Sequence, residues 1–210
     1  MKKFFITAIL AATGALISCQ KDEVSKKEEK ETKLTEIKNL DVTTSKEWTY
    51  FSFEKGTVVQ VTNPKEGTDW DIAFFEYYVK TNGGESGKGK AEVVLVENKE
   101  FDAVKQAPTT EYVKDTQGTM SYGNYPNLVS KEDTFSALMS GGFETKTGFV
   151  SLSPSNLGTW PSVYAPTKRV YVVKTANGNF AKIQVTDFYN DKAKAGYLTF
   201  RYVTSQEGKF

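Results

Sequence analysis

Between Trp48 and Val203 the chain falls into short runs of aromatic and β-branched residues punctuated by Gly, Asn and Pro. Links this short join antiparallel neighbours, because a parallel pair needs a crossover of a dozen residues or more. Strands are predicted over 48–53, 58–62, 70–80, 91–96, 149–152, 169–174, 180–185 and 197–203. The breaks fall at Gly56, Asn63-Pro64, Asn82-Gly83-Gly84, Asn177-Gly178 and Gly196, and Asn177-Gly178 between two β-rich runs predicts a two-residue hairpin. One helix is expected over 130–142. Ser130 with Asp133 suits its N-cap, Phe135, Leu138 and Met139 form one apolar stripe, and Gly141-Gly142 ends it. Residues 105–130 and 153–167 read as long irregular loops, the places where function or mobility concentrates. With no βαβ alternation, the expectation is a mainly β, antiparallel sheet domain with long loops and at most one or two short helices.

What the chain lacks is equally restrictive. It has 210 residues, no His and one Cys, so Ser-His and Cys-His catalysis, His-ligated zinc and an intramolecular disulfide are all excluded. Its 27 Lys and Arg against 26 Asp and Glu leave no basic surface for nucleic acid. Asp69 and Asp71 flank Trp70 and share a face if they lie on a strand, about 6.6 Å apart by strand rise, but such a pair is an unspecific sign of a glycosidase. The glycine-rich stretch 82–89 lacks the GxxxxGK[ST] pattern and no helix follows it, so it reads as a hairpin loop.

The N-terminus reads as an address. Lys2 and Lys3 precede an apolar run over 4–17 that is too short to span a membrane, and Leu16-Ile17-Ser18-Cys19 matches a bacterial lipobox. Residues 1–18 are then a signal peptide and Cys19 the lipidation site. The segment 19–40 is a lipidated, flexible, charged tether: residues 20–40 hold six Lys and six Asp or Glu with no aromatic residue. Gln20-Lys21-Asp22-Glu23 resembles the signal that sends lipoproteins of some gram-negative anaerobes to the outer face of the outer membrane. The folded domain is assigned to 41–210.

Five blocks of that domain carry a family resemblance. Trp48-Thr49-Tyr50-Phe51-Ser52-Phe53-Glu54-Lys55-Gly56, Trp70-Asp71-Ile72-Ala73, the stretch from Asn82 to Lys90, Lys168-Arg169-Val170-Tyr171-Val172-Val173 and Ala181-Lys182-Ile183-Gln184-Val185-Thr186-Asp187 resemble, in order and spacing, the HmuY family of haem-binding lipoproteins. The resemblance implies an all-β haemophore that binds haem without chemical turnover and passes it to an outer-membrane haem transporter. It places the haem grip in the poorly matched middle, between residues 92 and 166. The family's founding member ligates iron through two histidines, which this chain lacks.

Of the side chains that ligate haem iron, Met and Tyr remain. Met120 and Met139 both fall in that middle region and are the candidate axial ligands; Tyr122, Tyr125 and Tyr164 are the alternatives. A thioether is a soft, neutral donor that favours ferrous iron, whereas tyrosinate favours ferric. Phe143, Phe149 and Trp160 are candidates to line the pocket, and Lys131, Lys168 or Arg169 to pair with a propionate. The alternative function is a non-haem adhesion module of the same fold, binding a glycan or another protein through its aromatic loops.

Overall fold

The run Val170-Tyr171-Val172-Val173 has no polar position. The computed structural model, which describes residues 33–43, 47–124, 127–154 and 162–210, places it inside a sheet that is covered on both faces. Numbered in chain order, the strands of this largest sheet are β1 (Leu34–Asp41), β6 (Glu92–Val96), β12 (Val170–Lys174), β13 (Phe180–Tyr189) and β14 (Ala195–Ser205). They lie in the order β1-β14-β13-β12-β6, antiparallel throughout. A second antiparallel sheet holds β2 (Thr49–Ser52), β3 (Thr57–Val58), β4 (Ile72–Phe75) and β5 (Tyr78–Thr81) in the order β3-β2-β4-β5. Two smaller units complete the described fold. β7 (Thr116–Asn124) and β8 (Asn127–Phe135) form a hairpin, and β9 (Gly142–Phe143), β10 (Val150–Ser153) and β11 (Val163–Pro166) form a sheet in which β9 runs parallel to β10. Among the described residues the only helical element is a 3-10 turn at Phe101–Ala103, and no helix is long and apolar enough to cross a membrane.

The main core lies where the two larger sheets and β10 meet. Phe51 meets Phe200 edge-on and Phe74 meets it at a tilt, with ring centroids 5.4 and 5.7 Å apart, and Phe149 closes on Phe74 at 6.4 Å. Tyr171, Ile183 and Leu198 fill the same layer, and removing each such side chain from water contributes roughly 1.5–3 kcal/mol. Alternation turns Val170 and Val172 to the opposite face of β12, where they meet Val94, Phe101 and Val104. The segment 101–107 forms a strap over that face. It is fastened from below by the buried Lys182, whose ammonium donates to the carbonyls of Phe101 and Val104 at 2.9 and 2.8 Å and lies 4.3 Å from the Phe101 ring centre.

Several elements depart from the sequence reading. The helix expected over 130–142 is absent: its first part is β8, and residues 137–139 form a turn in which the Ser140 N–H donates to the Ser136 carbonyl. The supposed loop 105–130 contains β7, and 153–167 contains β11. The strand expected over 58–62 is reduced to Thr57–Val58. Residues 34–40, read as the end of the tether, are part of edge strand β1. The Asn177-Gly178 link is longer than two residues. Gly178 donates to Thr175 and Thr175 to Asn179, with Gly178 left-handed at φ +87°.

The predicted strand 70–80 is a hairpin. It folds back at Glu76-Tyr77, pairing Phe75 with Tyr78. Glu76 sits at φ +48°, a left-handed position that two-residue hairpins usually give to Gly, and its N–H is held by the Val42 carbonyl.

Candidate functional site

Because Tyr77 lies in the turn and Tyr78 opens β5, two neighbours that a continuous strand would send to opposite faces come together, ring centroids 4.7 Å apart. They are part of the wall of a cleft of about 260 Å3 between the β7–β8 hairpin and the β9–β11 sheet. Ser121, Gly123 and Leu128 contribute from the hairpin; Gly141, Gly142 and Phe143, Leu152 and Tyr164 contribute from the facing sheet. The tight path of that facing segment depends on Gly141, where a Cβ would lie 2.5 Å from the Val150 carbonyl oxygen. The rim is apolar and open to solvent: Leu128 is 47% and Phe143 51% exposed. Val129 and Val163, neighbours of lining residues, are also exposed.

The two methionines lie just behind this lining. Met120 immediately precedes Ser121 and is buried against Phe75 and Tyr78; Met139 stands two residues before Gly141 and is buried in the main core. The cleft thus brings together the segments that follow both candidate ligands, while the thioethers face away into packed side chains. Tyr164 lines the cleft and Phe143 its rim. Tyr122 instead packs edge-on against Phe75 at 4.8 Å, and Phe149 is a core residue against Phe74 and Phe188. Tyr125, Trp160 and Cys19 lie outside the described residues.

Among the described residues no Lys or Arg lines the cleft, the three propionate candidates included. The Lys131 ammonium sits 3.2 Å from Asp133, Lys168 occupies a left-handed turn position, and Arg169 is 3.4 Å from the Gly148 carbonyl. Burial, followed by the Glu76 charge, pushes the Tyr164 phenol up to about 12, so it is a neutral group at physiological pH. Burial likewise raises Glu76 to about 7 against the opposing effect of the Gly123 N–H beside its carboxylate.

The hairpin that carries Met120 is held at two levels. At its root, Asp133 accepts from Trp48 Nε1 at 3.1 Å and from the Lys80 ammonium at 2.8 Å, which also lies 4.2 Å from the Trp48 ring centre. Burial alone would raise the Asp133 carboxyl, but the Lys80 charge and these donors outweigh it and hold the group well below the usual carboxylate range. Higher up, Tyr77 donates its phenol to the Ser121 carbonyl, and the Ser121 N–H donates to the Tyr78 phenol at 2.8 Å.

A larger polar depression of about 420 Å3 lies elsewhere, lined by Glu54, Lys55, Asp69 and Asp71 among others. Asp71 is a scaffold residue: it is buried and accepts from the backbone N–H groups of Phe53 and Ala176 at 2.8 and 3.0 Å. Neither Asp69 nor Asp71 lies on a strand, so the strand spacing that suggested a carboxylate pair does not apply.

Sequence reasoning missed Tyr77, Tyr78, Leu128 and Leu152. The signal available for the tyrosines was the charged Glu76 interrupting an otherwise apolar aromatic run.

Comparison with known proteins agrees with this architecture. A HmuY analog from Tannerella forsythia, solved in its apo form, superposes with a TM-score of 0.58 at 21% identity, covering 83% of this chain and 95% of that one. A candidate HmuY-like haem-binding protein from Bacteroides vulgatus gives 0.56 at 26% identity, over 81% and 90%. Apo PinO from Porphyromonas gingivitis gives 0.57 at 18% identity, over 84% and 99%. No curated protein matches the chain. The model of the HmuY protein family matches residues 44–202, and by that match together with the shared fold the chain belongs to the HmuY family.

Proposed function

We propose that the protein is a lipid-anchored haem-binding protein of the outer cell surface, which takes up haem without chemical turnover and hands it to an outer-membrane transporter. The observation that carries this reading is the apolar-rimmed cleft whose two walls follow directly on Met120 and Met139. Membership of the HmuY family and the likeness to the HmuY-like haem-binding protein of Bacteroides vulgatus support it. Cys19, at the end of the lipobox-like stretch, supplies the anchor.

At about 260 Å3 the cleft is below the roughly 300–1,000 Å3 of sites that enclose a drug-sized ligand. A porphyrin therefore enters only as the hairpin and the 136–143 segment part, and the same movement brings the buried thioethers forward. Thioether ligation is favoured over tyrosinate because each wall of the cleft follows on a methionine, whereas of the tyrosine candidates among the described residues only Tyr164 lines it. Met120 and Met139 are accordingly the proposed axial pair, and ferrous haem is the preferred form.

The test is a haem titration of the purified protein by absorbance, in air and again under a reductant. Met120→Leu and Met139→Leu keep the packing volume while removing sulfur. Binding that tightens at least tenfold on reduction and fails in either variant is expected. Binding that is unchanged in both variants overturns the methionine assignment. Absence of any spectral change in either redox state removes the haem reading and leaves the adhesion module.

A further inference from the structure

The geometry points to Tyr77 and Tyr78 as positioning residues, a paired phenol clamp that holds the Met120 strand closed against the cleft. This deepens the haem reading and rests on it for its functional consequence, while the clamp itself can be tested without haem.

β7 belongs to a two-stranded unit, so the outward polar groups along it have no neighbouring strand to meet. At Ser121, which pairs with Ser130, both the N–H and the carbonyl are taken by phenols rather than by β8. Tyr77 donates to the carbonyl; Tyr78 accepts from the N–H at 2.8 Å and lies 3.3 Å from the same carbonyl oxygen. Ser121 is thus gripped at both ends by adjacent residues of another hairpin.

That grip depends on the backbone at Glu76. Its left-handed φ of +48°, together with the Glu76 N–H to Val42 carbonyl bond, places both rings on one side of the turn. Burial raises the Tyr77 phenol beyond its usual range, so it stays a neutral donor across physiological pH.

The grip is adjacent to the proposed ligand. Met120 immediately precedes Ser121 and packs against the Tyr78 ring, so the closed clamp and the buried thioether are one arrangement. The root of the hairpin, by contrast, is fixed by the Asp133–Lys80 ion pair, 2.8 Å long with both side chains largely buried. The middle is therefore fastened by neutral hydrogen bonds that break at modest cost, and the root by a pair that does not. Release at Ser121 lets the hairpin move about its root and exposes Met120. If only the released form accepts haem, its population limits uptake, and weakening the clamp raises that population.

The experiment uses the full chain and its Tyr77→Phe and Tyr78→Phe variants, which keep both rings and remove one hydroxyl each. Hydrogen exchange is read without haem at the Ser121 amide, with the Ile183 amide of β13 as the internal standard. Exchange at Ser121 about three- to tenfold faster, with Ile183 unchanged, is expected for the loss of one such hydrogen bond. The association rate with ferrous haem is expected to rise by the same factor, a correlation that a purely structural role would not produce. Unaltered exchange at Ser121 in both variants overturns the clamp, and faster exchange with an unchanged haem association rate overturns its positioning role. A wild-type chain that takes up no haem sinks the haem reading alone, and the exchange measurement still decides the clamp.

Discussion

Glu76 combines three demands at one position: a left-handed backbone, a half-buried side chain and a titration near neutrality. Its folded pKa of about 7 lies above the ordinary 4.5, so between those values the folded chain binds more protons than the unfolded one. Stability contributed by this group is therefore full in acid and declines as pH rises from about 4.5 towards 7. Glu76→Gln, which mimics the protonated form, is expected to leave the urea midpoint unchanged at pH 4.5 and to raise it at pH 8. A lower midpoint for the variant at pH 8 would show that the ionised carboxylate is a net asset and that the burial argument fails. The methionines show how far single residues were legible. Their type and region singled them out, but nothing in the local sequence says that Met120 packs under Tyr78 or Met139 under Phe149's neighbours in the core. The Tyr77–Tyr78 pair was missed for a different reason: a non-Gly residue in the turn leaves no glycine signature, and with Glu76 as the sole break the hairpin read as one strand.

Among the elements, the β7–β8 hairpin is where sequence and structure diverge most. Residues 127–132 of β8 are all exposed, so no apolar alternation marks the strand, and Lys131-Glu132-Asp133 looks like a helix's first turn. The Phe135, Leu138 and Met139 stripe that suggested a helix is the end of a strand followed by a turn, buried in two different clusters. Asp133, read as the partner of a Ser130 helix cap, instead joins β8 to β5 through Lys80 and to Trp48. Deleting its carboxylate strands a buried ammonium, so Asp133→Ala is expected to cost about 3–5 kcal/mol in urea unfolding. Replacing the pair together, Lys80→Met with Asp133→Leu, is expected to recover most of that loss; a double variant as unstable as the single one would contradict the account. Because Asp133 is held below its usual range, its contribution is complete above about pH 4 and is lost as pH falls further.

At the scale of the whole molecule, the antiparallel β architecture was readable because β12 carries an apolar run and β13 and β14 alternate apolar with polar residues, with turn residues between them. The boundary was not, since β1 mixes Leu34, Ile37 and Leu40 with charged and polar residues, carries no aromatic residue, and becomes a strand only by pairing with β14. The cleft was half readable: Tyr164 and Phe143, singled out because the resemblance places the grip in the middle region, do lie at it, whereas its walls depend on pairings between segments far apart in sequence. On the far side of the large sheet, Lys182 lies under the strap 101–107, its amine occupied by two carbonyls and a ring. An acylating reagent applied to the native protein should therefore mark the exposed Lys131 and Lys168 at once and pass over Lys182, as peptide mass mapping would reveal; labelling of all three at one rate would refute it. That single amine then acts as a clock for the sheet, recording in covalent form the first moment at which the strap lifts.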